Sequence, residues 1–287
     1  MGFKLTTVMN PAANLSAFES VLMGLSSYDE IKMRLLGEFV SLSGLVYGRL
    51  FDRALHVVEP FETRCQCGRA AQPIEIRSAH PPTCPAAHFY VLRGIDPHLV
   101  TPTAVVWLAM DREGHAYVDT CYFQAKDTED VKADIAERSK GMRLGWSAVD
   151  KSSDSSIKAF GDRNIYRELS RGKNAITGLR TSEKFMGSIK AGVDEIKQWL
   201  KVNPRTGKPL LFIMDRPENR PLMAAFRTME REQWANEDQK GPKDKIAEGK
   251  YHHHAALRYL FQFPLSWQPE TVHAPAPELF DEEACFA

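Results

Sequence analysis

VLRGIDPHLVTPTAVVWLAMD, residues 91–111, holds two apolar runs separated by a polar break with two prolines, and it ends the first run on Asp96. The pattern predicts a strand, a loop and a second strand. A buried carboxylate without a partner costs several kcal/mol. Asp96 therefore calls for a salt bridge, a role as cap or turn former, or a metal ion.

Working outward, HFYVLRGID (88–96) and TAVVWLAMD (103–111) are followed by the turn DREG and a third run, HAYVDTCYFQA (115–125). That is the signature of an antiparallel meander. RLGWSAVD (143–150) predicts a fourth strand, which ends on a second aspartate, Asp150. Phe185, Ile189, Val193, Ile196 and Leu200 share one helical face, so a helix is expected over 182–200. KPLLFIMD (208–215) reads as a buried parallel strand ending at Asp215. RPLMAAFRTMEREQW (220–234) reads as a helix, ANEDQKGPKDKIAEGK (235–250) as a charged loop, and HHHAALRYLFQF (252–263) as a last helix. Strands grouped first, with helices and a strand alternating afterwards, predict an α/β fold: a mixed sheet flanked by helices.

Towards the amino end, NLSAFESVLMGL and SYDEIKMRLLGEFV are two helical patterns, the second with Ser27 as N-cap and Ile31, Leu35 and Phe39 in register. Residues 61–88 differ in composition, holding four prolines and three of the five cysteines, and read as a surface insertion. The expected organisation is a helical lead-in over 1–60, a Cys/Pro-rich insertion over 61–88, a main domain over 89–265, and a proline-rich acidic tail over 266–287 expected to be flexible.

At 43% hydrophobic and 26% charged residues, the composition is that of an ordinary globular chain. The formal net charge is zero, so any nucleic-acid binding has to rest on local patches. There is no apolar run long enough to cross a bilayer and no signal-peptide core at the start, and five cysteines fit a reducing compartment; a cytosolic location follows as an expectation.

Asp96 and Asp150 each close an apolar run, at what should be the mouth of a strand. Ligands bind outside the carboxyl ends of strands in open sheets, and two carboxylates there can share a divalent cation. A pair of such ions clamps the attacking and leaving oxygens of a phosphodiester and acidifies a bound water. The competing reading is plain: IDP is a common turn signature, and an aspartate ending a strand often serves as a turn former or cap.

RLLGEFVSLSGLVYGRLF with HVVEPF, then RGIDPHLVTPTAVVWLAMDREGHAYV, LLFIMDRPENRPLMAAFRTM and HAALRYLF, in that order from about residue 6 to about residue 263, resembles the C-terminal nuclease part of the large terminase subunit of tailed bacteriophages. The resemblance implies a ribonuclease H-like fold and an endonuclease that cuts concatemeric double-stranded viral DNA with two Mg²⁺ or Mn²⁺ ions. It also implies a host-cytoplasmic location, with the motor ATPase domain, the small terminase subunit and the portal protein as partners and no membrane. Asp96 matches the family's first-strand aspartate and Asp150 the second acidic position, with Asp154 as the alternative in the serine-rich stretch. The first stretch of the chain resembles the end of the motor domain. No G-x-x-x-x-G-K-[ST] loop occurs, so no ATP site is expected.

The chain departs from the family at its last helix, which resembles D-H-x-x-D-A-L-R-Y. Here YHHHAALRY keeps the histidine as His252 but has Tyr251 and Ala255 at both aspartate positions. An engineered inactivating change at Ala255, ligation by His252 or His254 in a site suited to Mn²⁺, and a natural loss of activity all account for this. An inactive form would make the chain a non-catalytic DNA-binding or portal-docking module. Asp215 is a further carboxylate, read as a cap before RPENRP.

Two other groups stand out. Cys65, Cys67, His80 and Cys84 form C-x-C, a gap of twelve residues, then H-x-x-x-C, a donor set suited to structural Zn²⁺; the alternative is a loop with thiols. Arg143, Arg163, Arg167, Arg171, Lys173, Arg180 and Lys184 supply local positive charge for phosphate contacts, against the reading of a solvated face.

Overall fold

The computed structural model describes residues 45–48, 50–67, 80–98, 101–155, 163–181, 188–232, 246 and 249–269. The helical patterns before residue 45, residues 68–79 of the Cys/Pro-rich segment, Lys184 with the start of the 182–200 pattern, most of the loop at 235–250 and the tail from 270 onward lie outside these.

Seven strands form one mixed sheet in the order β1-β7-β4-β3-β2-β5-β6. They are β1 (Val57–Val58), β2 (Tyr90–Asp96), β3 (Thr103–Met110), β4 (Ala116–Gln124), β5 (Leu144–Val149), β6 (Leu179–Thr181) and β7 (Leu211–Met214). The helices are α1 (Arg53–His56), α2 (Pro85–His88), α3 (Thr128–Arg138), α4 (Ile165–Ser170), α5 (Ser188–Leu200), α6 (Arg220–Thr228) and α7 (His252–Leu260). β3 is antiparallel to both β2 and β4, whereas β5 and β6 continue from β2 in parallel, as β7 and β1 do from β4. All strands but β3 therefore point the same way and bring their carboxyl ends to one edge. This is the expected helix-flanked mixed sheet of ribonuclease H-like type.

β3 is buried at every position, because both faces of the sheet are covered; this is why its sequence is apolar without alternation. On one face Leu92, Val106, Leu108 and Val118 pack with Val193 and Ile196 of α5, Leu222 and Phe226 of α6, and Leu257 and Leu260 of α7. On the other, Val91, Ile95, Val105 and Trp107 meet Val131 and Ile135 of α3 and Ile165 and Leu169 of α4.

α7 lies hard against β2 at one point. A Cβ built on Gly94 would sit 1.9 Å from the carbonyl oxygen of Ala256, a backbone atom that cannot rotate away. Gly94→Ala should therefore push α7 off the sheet and destabilise the fold by about 3 kcal/mol. Urea unfolding measures this; a change below about 0.5 kcal/mol would show that the helix yields freely.

Several boundaries differ from the sequence reading. The helix expected over 220–234 stops at Thr228: buried Met229 turns extended as its C-cap, and Glu230 and Arg231 pair with Leu45 and Ile246. Tertiary pairing overrides helical propensity there. The last helix ends at Leu260. The short strands β1 and β6 and the helices α3 and α4 were not foreseen. In the Cys/Pro-rich segment the described ends are packed: Thr63 and Ala86 are fully buried, and the Phe61 ring stacks on Phe89 at 5.2 Å. No helix among the described residues is long and apolar enough to cross a membrane.

Candidate functional site

Asp96 is the last residue of β2, and Ile95 is in parallel register with Val149 of β5. The residues that follow this pair are Asp96 and Asp150, so both aspartates lie where two adjacent parallel strands end, although the donor atoms grouped around Asp96 are those of His98 and His252 and not of Asp150. Asp150 is half-buried, precedes the 3-10 turn Lys151–Asp154, and accepts a short hydrogen bond from the Ser152 hydroxyl. Asp154, at the end of that turn, is exposed.

Asp96 is 6% exposed, and its partners come from two directions. His98, just past Pro97, places Nε2 2.9 Å from Asp96 Oδ2. From α7, His252 places Nδ1 2.9 Å from the same oxygen, and Tyr259 donates its hydroxyl to Oδ1 at 2.9 Å. His98 Nε2 and His252 Nδ1 are 3.0 Å apart, so these two nitrogens and Oδ2 form a nearly equilateral triangle. The Phe123 ring, near the end of β4, stacks on His252 at 5.7 Å and closes one flank.

These contacts set the charges. Burial pushes the Asp96 carboxyl up, but hydrogen bonds from His98, His252 and Tyr259, with the charge of His98, outweigh it and hold the group below the usual carboxylate value. The hydrogen bond to Asp96 raises His98 against the opposing effect of burial. Burial raises the Tyr259 phenol, with Asp96 and Asp150 adding to the shift, so it remains a neutral donor. Burial, with the neighbouring charge of His252, drives His253 down to about 4 against the opposing pull of Asp96.

The donor set can hold a metal ion: Asp96, His98 and His252 each offer one atom within 4.8 Å of the others. Neighbouring donors around an octahedral ion with bonds of about 2.1 Å are about 3.0 Å apart, which the triangle matches. A carboxylate with two imidazoles suits Mn²⁺ better than Mg²⁺, because nitrogen is the softer donor.

The sequence reading found Asp96, Asp150 and His252 but not His98 or Tyr259. His98 had a signal, since IDPH puts an imidazole two residues beyond the aspartate. Tyr259 had one too, seven residues after His252 and so on the same helix face. Ala255 lies between them on that face and is 6% exposed. Tyr251, at the other unmatched position, is the N-cap of α7 and donates to the Thr228 carbonyl at 2.9 Å. His254 is fully buried on another face, its Nε2 against the Tyr47 hydroxyl. Asp215 follows β7, with β4 and β3 between that strand and β2, and pairs with Arg53 at 2.7 Å.

The basic residues are dispersed. Arg143 precedes β5 and lies at the opposite end of that strand from Asp150, about 20 Å away at about 3.3 Å per residue. Nearness to Asp150 in sequence is lost because an extended strand intervenes. Its guanidinium donates to the carbonyls of Ala86, Phe89 and Gln268 and lies over the Tyr90 and Trp267 rings. Arg180 is exposed on β6, paired with Ala148 two residues before Asp150, and lies over Trp146. Arg167, Arg171 and Lys173 are exposed on and after α4, and exposed Arg163 pairs with Glu168 at 2.6 Å. A cleft of ≈ 460 Å³ opens beside His252, with Arg138 and Lys250 in its lining, two cations the sequence reading passed over.

No protein-family model matches the chain, and no curated protein matches it. Solved structures do match. The large terminase of a thermophilic bacteriophage aligns with a TM-score of 0.55 at 16% identity in one crystal form, over 89% of this chain and 53% of that one. In another crystal form of the same terminase the values are 0.53 and 15%, over 90% and 54%. The P22 large terminase nuclease domain aligns at 0.48 and 14%, over 78% of this chain and 93% of that one. The fold is thus of the large-terminase type, and the chain spans about half the length of the thermophilic phage protein it matches.

Proposed function

We propose that this chain is a metal-dependent nuclease domain that cuts double-stranded DNA in the manner of a phage large terminase. The observation that carries the reading is the convergence of Asp96, His98 and His252, with Asp150 beside them, at the carboxyl edge of the sheet. The resemblance in the sequence and the terminase-type fold support it. Asp96, His98 and His252 would hold a divalent cation, and Asp150 is the carboxylate available to a second one.

When bound, such ions supply a nucleophile at neutral pH and neutralise charge on the phosphodiester. The chain's own residues do the rest. Tyr259 fixes Asp96 Oδ1 and leaves Oδ2 facing the two imidazoles. Phe123 holds the His252 ring. Arg180, beside β5, and Arg138 and Lys250, in the cleft, would take phosphates in this reading, and exposed Arg167, Arg171 and Lys173 would do so for a duplex that reaches α4. Such contacts read no sequence, so binding should be sequence-tolerant and weaken steeply with salt. Concatemer cutting and action with a motor ATPase, small subunit and portal are the whole-protein setting this reading implies.

A second reading, a DNA-binding or portal-docking module without catalysis, has its own support. Both Asp96 oxygens are already satisfied by protein donors, and the family's further carboxylates are replaced by Tyr251 and Ala255. Supercoiled plasmid incubated with Mn²⁺, with Mg²⁺ and with chelator decides between the two. The nuclease reading expects nicking and linearisation in Mn²⁺, less in Mg²⁺ and none with chelator. Salt-sensitive DNA binding without cleavage in either metal would favour the non-catalytic DNA-binding module instead.

A further inference from the structure

The nuclease reading leaves one cluster unused. Cys65 and Cys67 lie after β1, and His80 and Cys84 lie before β2, with Cys84 as the N-cap of α2. Twelve residues of chain separate the two pairs. The fold nevertheless brings all four donor atoms within 4.8 Å of one another. Cys65 Sγ is 3.3 Å from Cys67 Sγ, and His80 Nδ1 is 3.6 Å from Cys65 Sγ, 3.3 Å from Cys67 Sγ and 3.8 Å from Cys84 Sγ.

We infer that Cys65, Cys67, His80 and Cys84 form a structural zinc site. Tetrahedral zinc with bonds of about 2.3 Å to sulfur and about 2.0 Å to nitrogen holds its sulfurs about 3.8 Å apart and its nitrogen about 3.5 Å from each. The observed separations fall close to these, as unrelated thiols in a loop would not. Three thiolates and an imidazole fill all four positions, which is the closed set of a structural rather than a hydrolytic zinc. Binding releases three thiol protons and gives the site a net charge of −1. This chemistry is distinct from the Asp96 cluster, which has no sulfur donor and keeps positions open.

The site has a mechanical consequence. The Cys65 amide donates to the Gly141 carbonyl at 2.6 Å, just before β5, and Cys84 opens α2, which leads directly into β2. Zinc would clip the chain leaving β1 to the chain entering β2 and anchor both near the start of β5. β2 and β5 are the strands that present Asp96 and Asp150 at their far ends.

The full chain, purified under reducing conditions, should carry about one zinc per molecule by elemental analysis. Exchange for Co²⁺ should give the thiolate charge-transfer band and the d–d bands of a tetrahedral sulfur-ligated ion. Cys67 is exposed, so Cys67→Ser should fold and yet bind zinc at least about 100-fold more weakly, with the thiolate band reduced. Cys84→Ser removes a buried ligand, and its loss of zinc is read alongside Cys67→Ser in case it does not fold. No zinc on reduced protein after incubation with excess Zn²⁺, or a cobalt spectrum without thiolate character, would overturn the assignment. So would zinc retained undiminished by Cys67→Ser.

Discussion

Asp96→Asn should lower Mn²⁺-dependent plasmid cleavage by at least about 100-fold, a loss of about 2.7 kcal/mol in transition-state stabilisation. Asparagine matches aspartate in shape, so Tyr259 keeps an acceptor and β2 keeps its register. What is lost is the anionic charge on the atom that faces both His98 Nε2 and His252 Nδ1. A neutral amide there binds a divalent cation more weakly than a carboxylate, because affinity follows the charge count of the ligands. It also leaves the imidazole donors without a charged acceptor, so the metal-free variant should be less stable by about 1–3 kcal/mol. Circular dichroism and urea unfolding separate this modest cost from the loss of cleavage. Activity within about threefold of the parent chain, at equal folding, would show that Asp96 is a structural carboxylate held by its three hydrogen bonds.

The opposite change, Ala255→Asp, should strengthen the site. His252, Ala255 and Tyr259 lie within one narrow stripe of α7, because steps of three and four residues return to the same helix face. His252 and Tyr259 both touch Asp96, so an aspartate at 255 would project between them towards the same carboxylate. Without metal, two carboxylates in a buried site repel, and the variant should lose stability. Divalent cation should reverse that loss: the melting temperature should rise with Mn²⁺ further than in the parent chain, and the apparent Mn²⁺ affinity should increase about 10- to 100-fold. Cleavage should rise with it. Unchanged affinity and cleavage would mean that the two histidines complete the site as it stands, and that Ala255 is a tolerated feature of a nitrogen-rich centre. A gain limited to this variant would mark the chain as a disabled form of a three-carboxylate cluster.

The meander of β2, β3 and β4, the strand at β5 and the short strand at β7 could all be read from apolar runs and turn residues, because those signals are local. Asp96 and Asp150 could be singled out for the same reason, each being a charge that ends an apolar run. His252 emerged from the family resemblance rather than from periodicity. β6 and α4 were missed, being only three and six residues long and too short to show a period. The helix that stops at Thr228 was misjudged because burial of Met229 and pairing of Glu230 outweigh local propensity.

What the sequence by itself determined is the class of the fold and the chemical types at the site: carboxylates at strand ends, imidazoles at the start of the last helix, and a Cys/His set in the segment before β2. What only the tertiary structure decided is which of them meet. His98 and His252 are separated by 154 positions, and their nitrogens converge on one Asp96 oxygen because Gly94 lets α7 sit directly on β2. Arg143 and Asp150, seven positions apart, are separated by the whole of β5. Distance along a chain fixes distance in space only within one element. Between elements, packing decides it: the parallel register of β2 with β5 and the close seat of one helix on one glycine.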